Sequence, residues 1–241
     1  MRIDTELVRR GIYVSRTRAA RAISEGLVFA DGKIVTKPSF DVNEKTVIEA
    51  KEDPVPYVSR GALKLKGTLE HFNISPKGHI CIDIGASTGG FTQILLEGGA
   101  SSVTCVDVGH GQLAKEIKND LRVTAMEGFD ARKIVEEEEM KEHFTLASID
   151  VSFISLEKIL PAAAYALKKD GLCICLIKPQ FEAGRKFLNK KGIVTSEKVR
   201  HEVLERFRAY ASICFYTGEI IESPIEGGDG NIEYLTLLKK R

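Results

Sequence analysis

Asp107, Asp150 and Lys178 each follow a short apolar run: Val103–Val106, Thr145–Ile149 and Leu172–Ile177. In an open parallel sheet, ligands bind at the carboxyl ends of the strands, so side chains in these positions share one edge. An acid and a lysine ending neighbouring strands can meet as a structural ion pair, or they can move a proton at a bound substrate. Residue types and spacing leave both readings open.

A further run, Ile80 to Ile84, holds Asp83 near its end and leads into Gly85-Ala86-Ser87-Thr88-Gly89-Gly90-Phe91-Thr92. It reads as a buried strand, a turn of small residues and the start of a helix. Small side chains there let backbone N–H groups come close to a ligand. The turn spells D-x-G-x-S-x-G-G, not the G-x-G-x-x-G that surrounds a pyrophosphate. Asp83 would repel a diphosphate and welcome an amino group. The expected ligand is therefore S-adenosylmethionine rather than NAD, cradled by Asp83, Gly85, Ser87, Gly89, Gly90 and Phe91. Asp107, about twenty residues further on, is expected to bind ribose hydroxyls. A tight turn with no ligand is the plainer alternative.

The elements that must position these residues alternate along the chain. A helix is predicted over Ser59–His71, capped by Ser59; Lys64 on it would face solvent by pattern alone. Further helices are predicted over Gln112–Lys118, from Asp130 through the acidic run Glu136–Glu139, over Leu156–Leu167 and over Glu197–Tyr210. A strand at Arg122–Ala125 ends near Glu127. Two closing strands, Ile213–Ile221 and Ile232–Leu238, are joined through Gly227-Gly228-Asp229-Gly230. The loop Phe181–Thr195 carries Arg185, Lys186, Lys190 and Lys191, and loops of this length are often lids or binding loops. The pattern matches a Rossmann-like α/β sheet of seven strands, in the order 3-2-1-4-5-7-6 with strand seven antiparallel, as in methyltransferases.

The chain's 241 residues allow one large and one small domain. No apolar run approaches the ~20 residues of a membrane span. The first residues lack the apolar core of a signal peptide, so a cytoplasmic location is expected. Cys81, Cys105, Cys173, Cys175 and Cys214 all lie in strand-like runs without zinc-ligand or redox spacing. They read as buried reduced thiols, and no metal is expected.

The first segment differs from the rest. Met1–Lys37 holds eight Lys/Arg and four acids, a surplus of four positive charges, in a chain whose net charge is +1. A helix near Asp4–Arg10 stops at Gly11; a second, capped by Ser15, runs to Glu25 and stops at Gly26. Leu27–Phe29 and Ile34-Val35 flank the turn Asp31-Gly32 as a hairpin, and Val47-Ile48 closes it. This α+β unit offers a basic surface suited to phosphates, unless its arginines merely solvate an exposed face.

The residues Arg2-Ile3-Asp4, Leu7, Arg10-Gly11, Ser15-Arg16, Ala19, Ile23, Gly26-Leu27-Val28, Asp31-Gly32, Val35 and Lys37-Pro38-Ser39 resemble the RNA-binding domain named after ribosomal protein S-four. That resemblance implies binding of structured RNA through shape and backbone contacts. The expected contacts are Arg2, Arg10, Arg16, Arg18, Arg21 and Lys37, with Arg60 and Arg185 beyond the segment. The expected layout is an RNA-binding domain at 1–49, a linker at 50–57 and a catalytic domain at 58–241.

Val58–Leu65, Asp83–Thr92, Val106–Leu113, Asp150–Leu156, Ile177–Arg185 and Gly230–Leu235 resemble the TlyA family, hemolysin-labelled proteins with an FtsJ-like methyltransferase domain. The resemblance implies S-adenosylmethionine-dependent 2′-O-methylation of cytidine in ribosomal RNA, with ribosomal subunits as partners and a monomer favoured. It also places the Lys-Asp-Lys-Glu tetrad of FtsJ-like enzymes on Lys64, Asp150, Lys178 and Glu233. Glu127–Arg132 departs from the asparagine-containing motif of the family; Asp130 there is assigned to the adenine amino group. A ribose hydroxyl is a poor nucleophile, so its oxygen must be aligned and lose its proton. Lys178 would activate or stabilise the alkoxide, Lys64 and Glu233 would hold the ribose, and Asp150 would position Lys178. Two other classes compete: an RNA-binding protein without activity, and a hemolysin, which would need a membrane-active segment that the sequence does not offer.

Overall fold

The computed structural model describes residues 1–13, 16–51, 57–227 and 230–241, with Thr17 described for its backbone alone. It divides into two compact units, Met1–Pro56 and Tyr57–Arg241.

In the first unit, helices α1 (Ile3–Arg9) and α2 (Arg16–Ser24) pack over a three-stranded antiparallel sheet of β1 (Val28–Ala30), β2 (Lys33–Ile34) and β3 (Ile48–Ala50), in the order β2-β1-β3. Ile3 and Leu7 from α1 meet Ala19, Ala22 and Ile23 from α2 over Val28, forming one buried apolar cluster. The hairpin turn follows from Asp31-Gly32, both at positive φ (49° and 75°) as a tight two-residue turn requires. The predicted Ser15 cap and most of the predicted linker lie outside the described residues.

The second unit contains α3 (Gly61–His71), β4 (Ile80–Ile84), α4 (Gly90–Glu97), β5 (Ser102–Asp107), α5 (Lys115–Lys118), β6 (Val123–Glu127) and β7 (Phe144–Ile149). It continues with α6 (Leu160–Ala166), β8 (Leu167–Ile177), α7 (Pro179–Glu182), α8 (Glu197–Ala211), β9 (Phe215–Glu222) and β10 (Tyr234–Lys240). The strands form one sheet in the order β6-β5-β4-β7-β8-β10-β9, the expected 3-2-1-4-5-7-6 arrangement. β10 is antiparallel to both its neighbours. Strands β4 and β7, and β8 from Gly171 onward, are almost wholly buried, which is why Ile80–Ile84, Thr145–Ile149 and Leu172–Ile177 read as apolar runs.

Several helices differ from their sequence prediction, each for a local reason. Gln112–Lys118 shortens to α5, because the Gln112 backbone N–H is drawn to Glu127 Oε1 at 2.9 Å. The acidic stretch forms two 3-10 turns, Ala131–Glu136 and Glu138–Met140, separated at Glu137, whose backbone is extended. Leu156–Leu167 breaks into a 3-10 turn, Leu156–Lys158, followed by α6. A continuous helix would bury Pro161 in its interior, whereas α6 begins so that Pro161 lies in its first turn. Ser59 does not cap α3; Arg60 occupies the cap position without a side-chain bond. The cysteines are free thiols, four buried and Cys214 half-buried. Burial pushes the Cys81 and Cys105 thiols up to about 12.

Candidate active site

The carboxyl ends of β4, β5 and β7 open onto two adjoining cavities. The first, of about 220 Å³, is lined by Ser59, Arg60, Lys64, Ala86, Phe91 and Asp150 among others. The second, of about 290 Å³, has apolar walls from Val108, Phe129, Ile154 and Ile159, with Asp107 and Asp130 beside them. Gly85, Ser87 and Asp150 line both.

Gly85 is where sheet and loop come closest. At φ 86° it sits against the next strand, and an added Cβ would stand 2.3 Å from the Asp150 carbonyl oxygen. Only glycine fits, and the loop is thereby held flat over the end of β4. Asp107 shapes the other side: its carboxylate accepts the backbone N–H of Ser87 at 2.8 Å and of Gly109 at 2.7 Å. Asp130 caps its 3-10 turn by accepting from the Arg132 backbone N–H, and the Arg132 guanidinium holds its carboxyl down at about 2. Both acids line the second cavity. A flat apolar ring, then hydroxyls, then a charged tail match this sequence of surfaces, so the residues fit S-adenosylmethionine.

The four tetrad residues form two ion pairs. Lys64 Nζ lies 2.5 Å from Glu233 Oε2, and Lys178 Nζ lies 2.5 Å from Asp150 Oδ1. Lys64 is buried, not solvent-facing as its pattern suggests, because α3 brings it against the start of β10. Two residues missed by sequence reasoning complete the arrangement. Ser152 Oγ accepts from Lys178 Nζ at 3.0 Å, and Gln180 Nε2 donates to Glu233 Oε1 at 2.9 Å. Ser152 stands two positions after Asp150 and Gln180 two after Lys178, a proximity that could have flagged them. Glu182, also buried, accepts from Ser155 Oγ at 2.7 Å and from the Leu156 backbone N–H at 2.8 Å, tying the loop after β7 to the one after β8.

Two expected cofactor contacts are corrected. Asp83 lines neither cavity: the pleat of β4 turns its side chain into the layer between sheet and α4. There it is fully buried and accepts from Thr92 Oγ1 at 2.7 Å and Ser148 Oγ at 2.8 Å. Burial pushes its carboxyl up to about 6. Gly89 also lines neither cavity, and a Cβ added to it would meet Leu113 and Ile117. Gly90 and Phe91 line the first cavity.

The expected RNA contacts divide by surroundings. Arg60 lines the first cavity, and Arg185 and Lys37 are exposed. In the N-terminal unit Arg2 and Arg16 pair with Asp4, and Arg10 pairs with Glu6. Arg9, absent from the expected set, pairs with Glu6 as well. The Arg21 side chain is 15% exposed and lies 3.9 Å from Glu25. Arg18 is half-buried.

The FtsJ-like methyltransferase family model matches residues 57–240, and the S4 domain model matches residues 1–48. A Mycobacterium tuberculosis protein named 16S/23S rRNA (cytidine-2′-O)-methyltransferase TlyA is 40% identical, over 99% of this chain and 89% of its own. A Brachyspira hyodysenteriae protein named Hemolysin A is 40% identical, over 98% of each chain. A solved Streptococcus thermophilus structure described as a hemolysin superposes with a TM-score of 0.78 at 42% identity, covering 100% of this chain and 88% of that one.

Proposed function

The chain belongs to the FtsJ-like methyltransferase family, with an S4 domain at its N-terminus, and we propose that it methylates the 2′-hydroxyl of a cytidine in ribosomal RNA. One observation carries this reading. The two cavities meet at Gly85, Ser87 and Asp150; Asp150 there is paired with Lys178, and the first cavity is also lined by Lys64, which is paired with Glu233.

S-adenosylmethionine is the methyl donor and supplies an electrophilic methyl group. Asp107 and Asp130 hold its nucleoside end, and the loop from Gly85 to Phe91 holds the rest. Lys178, kept in place by Asp150 and Ser152, stabilises the negative charge that develops on the ribose oxygen. Lys64, locked by Glu233 and Gln180, orients the ribose. A paired lysine in a partly dry pocket places positive charge where negative charge develops, without reorganising water. The S4 domain supplies the phosphate contacts that bring the target into reach. The substrate is ribosomal, which makes the cytoplasm the site of action, and a single chain carries every residue assigned here.

A hemolysin reading rests on the label shared by two relatives. No helix among the described residues is long and apolar enough to cross a membrane. The deciding assay combines purified protein, tritiated S-adenosylmethionine and ribosomal subunits from a strain lacking the gene. Label in rRNA that survives alkali as a 2′-O-methyl dinucleotide is the expected result. No label on either subunit, with the methyl donor still bound, would overturn the reading in favour of a different RNA or a binding-only protein.

A further inference from the structure

Asp4 is an acid at the centre of the most basic part of the chain. It is 3% exposed, and its carboxylate binds two guanidinium groups from different elements. Arg2, just before α1, donates through Nε to Oδ1 at 3.0 Å and through Nη2 to Oδ2 at 2.9 Å. Arg16, the first residue of α2, donates through Nη2 to the same Oδ2 at 3.0 Å. Thr5 Oγ1 adds a hydrogen bond to Oδ1 at 3.2 Å. The two arginines, fourteen positions apart in sequence, thus end side by side on one oxygen, while their own side chains stay about half exposed, at 50% and 59%.

The backbones at both ends are anchored. Met1 donates to the Val42 carbonyl and Ile3 to that of Phe40, which fixes the approach to Arg2. The apolar contact of Ala19, Ala22 and Ile23 with α1 seats α2, which begins at Arg16. What remains free in such a unit is the side-chain rotation of two long arginines, whose freezing opposes binding. Asp4 holds that rotation in the unbound protein. Each guanidinium retains N–H groups that Asp4 does not use, so both stay able to donate to an anion.

We propose that Asp4 is a positioning residue for RNA: it pre-sets Arg2 and Arg16 as one two-guanidinium clamp for a backbone phosphate of folded rRNA. The proposal rests on the reading of the S4 domain as the rRNA-binding unit. It makes a prediction opposite in sign to that of bulk charge. Removing an acid from a basic surface strengthens RNA binding if net charge alone matters. If Asp4 sets the geometry, removing it weakens binding although the protein becomes more positive.

The test uses the full-length chain and intact ribosomal subunits from a strain lacking the methyltransferase gene, with binding measured across a salt series. Asp4→Asn is expected to weaken binding about tenfold, the loss falling on KM rather than kcat. Asp4→Asn added to Arg2→Ala is expected to cost less than the two losses combined, since both remove one clamp. Arg2→Lys and Arg16→Lys keep the charge and lose the fork, so each is expected to weaken binding several-fold. Both sites are half exposed, so these two variants decide the matter even if Asp4→Asn fails to fold. Folded Asp4→Asn protein binding as tightly as wild type or tighter, or both lysine variants binding like wild type, overturns the proposal. Wild-type protein that fails to bind either subunit overturns the rRNA reading itself, and the clamp with it.

Discussion

Lys64 Nζ and Glu233 Oε2 stand 2.5 Å apart, joining the first helix of the catalytic unit to the approach to its last strand. Both side chains are at least nine-tenths buried. Truncating one partner of such a pair strands a charge and costs about 3–5 kcal/mol, whereas replacing both by apolar residues is often neutral. Glu233→Gln should therefore lower unfolding free energy by about 3 kcal/mol. Lys64→Met combined with Glu233→Leu should recover most of that stability and none of the methylation. Urea unfolding beside a methyl-transfer assay separates the structural role from the catalytic one; recovered activity in the double variant would remove Lys64 and Glu233 from the chemistry.

Lys178 is held at two points, by Asp150 at 2.5 Å and by Ser152 at 3.0 Å. Losing a preorganised charge at a developing oxyanion costs on the order of 10²–10³ in rate. Lys178→Ala should reduce methyl transfer by that amount while donor and rRNA affinities stay within about twofold. Ser152→Ala, which leaves the Asp150 contact, should cost about tenfold or less. Single-turnover rates with bound subunits read this directly, and near-wild-type transfer by Lys178→Ala would exclude Lys178 as the stabilising group.

The sheet was legible because apolar runs ending in polar residues mark buried parallel strands, and Asp107, Asp150 and Lys178 stand at those ends. Lys64 was not legible from pattern: a lysine on an amphipathic helix looks solvent-facing until its counter-ion is known, and Glu233 lies 169 positions away. Only the family resemblance singled it out. Asp83 was misjudged for the reverse reason. Position along a strand says which end a residue is near, but the pleat decides which face it serves, and Thr92 on α4 claims it. Asp4 read as an incidental acid in a basic segment, since Arg16 reaches it only once α1 and α2 are packed, whereas Glu6 meets Arg9 and Arg10 at ordinary helical spacing.

Gly85 allows a sharp steric test. An added Cβ would come within 2.3 Å of the Asp150 carbonyl oxygen and 2.8 Å of its carbon, both rigid backbone atoms, at a φ of 86°. Gly85→Ala must shift either the loop or the start of the segment that carries Asp150 and Ser152. Donor affinity should fall by at least tenfold, about 1.4 kcal/mol, and methylation should fall further because Lys178 loses its alignment. Isothermal titration with S-adenosylmethionine measures the first effect. Unchanged affinity in folded Gly85→Ala protein would mean that the ligand does not lie along this loop.

Asp83 predicts a pH dependence that can be isolated by one substitution. Burial raises its carboxyl from 3.8 to about 6, against the opposing hydrogen bonds from Thr92 and Ser148. A raised pKa means that the folded protein binds the proton more tightly than the unfolded chain. Asp83 therefore supports folding most below about pH 4, and that support is lost as pH rises through 6. Asp83→Asn keeps an acceptor for one of the two hydroxyls, offers the other an N–H to accept, and carries no charge at any pH. Relative to wild type, it should change little at pH 4 and gain roughly 2–3 kcal/mol of stability by pH 7, since each tenfold difference in proton affinity is worth about 1.36 kcal/mol. Taking the difference between variant and wild type removes the opposite trend of Glu6, Asp120, Glu127 and Asp130, whose carboxyls are held down by neighbouring cations. Urea unfolding at pH 4, 5, 6 and 7 gives that difference, and a flat or falling curve would show that Asp83 is ionised in the folded protein throughout the range.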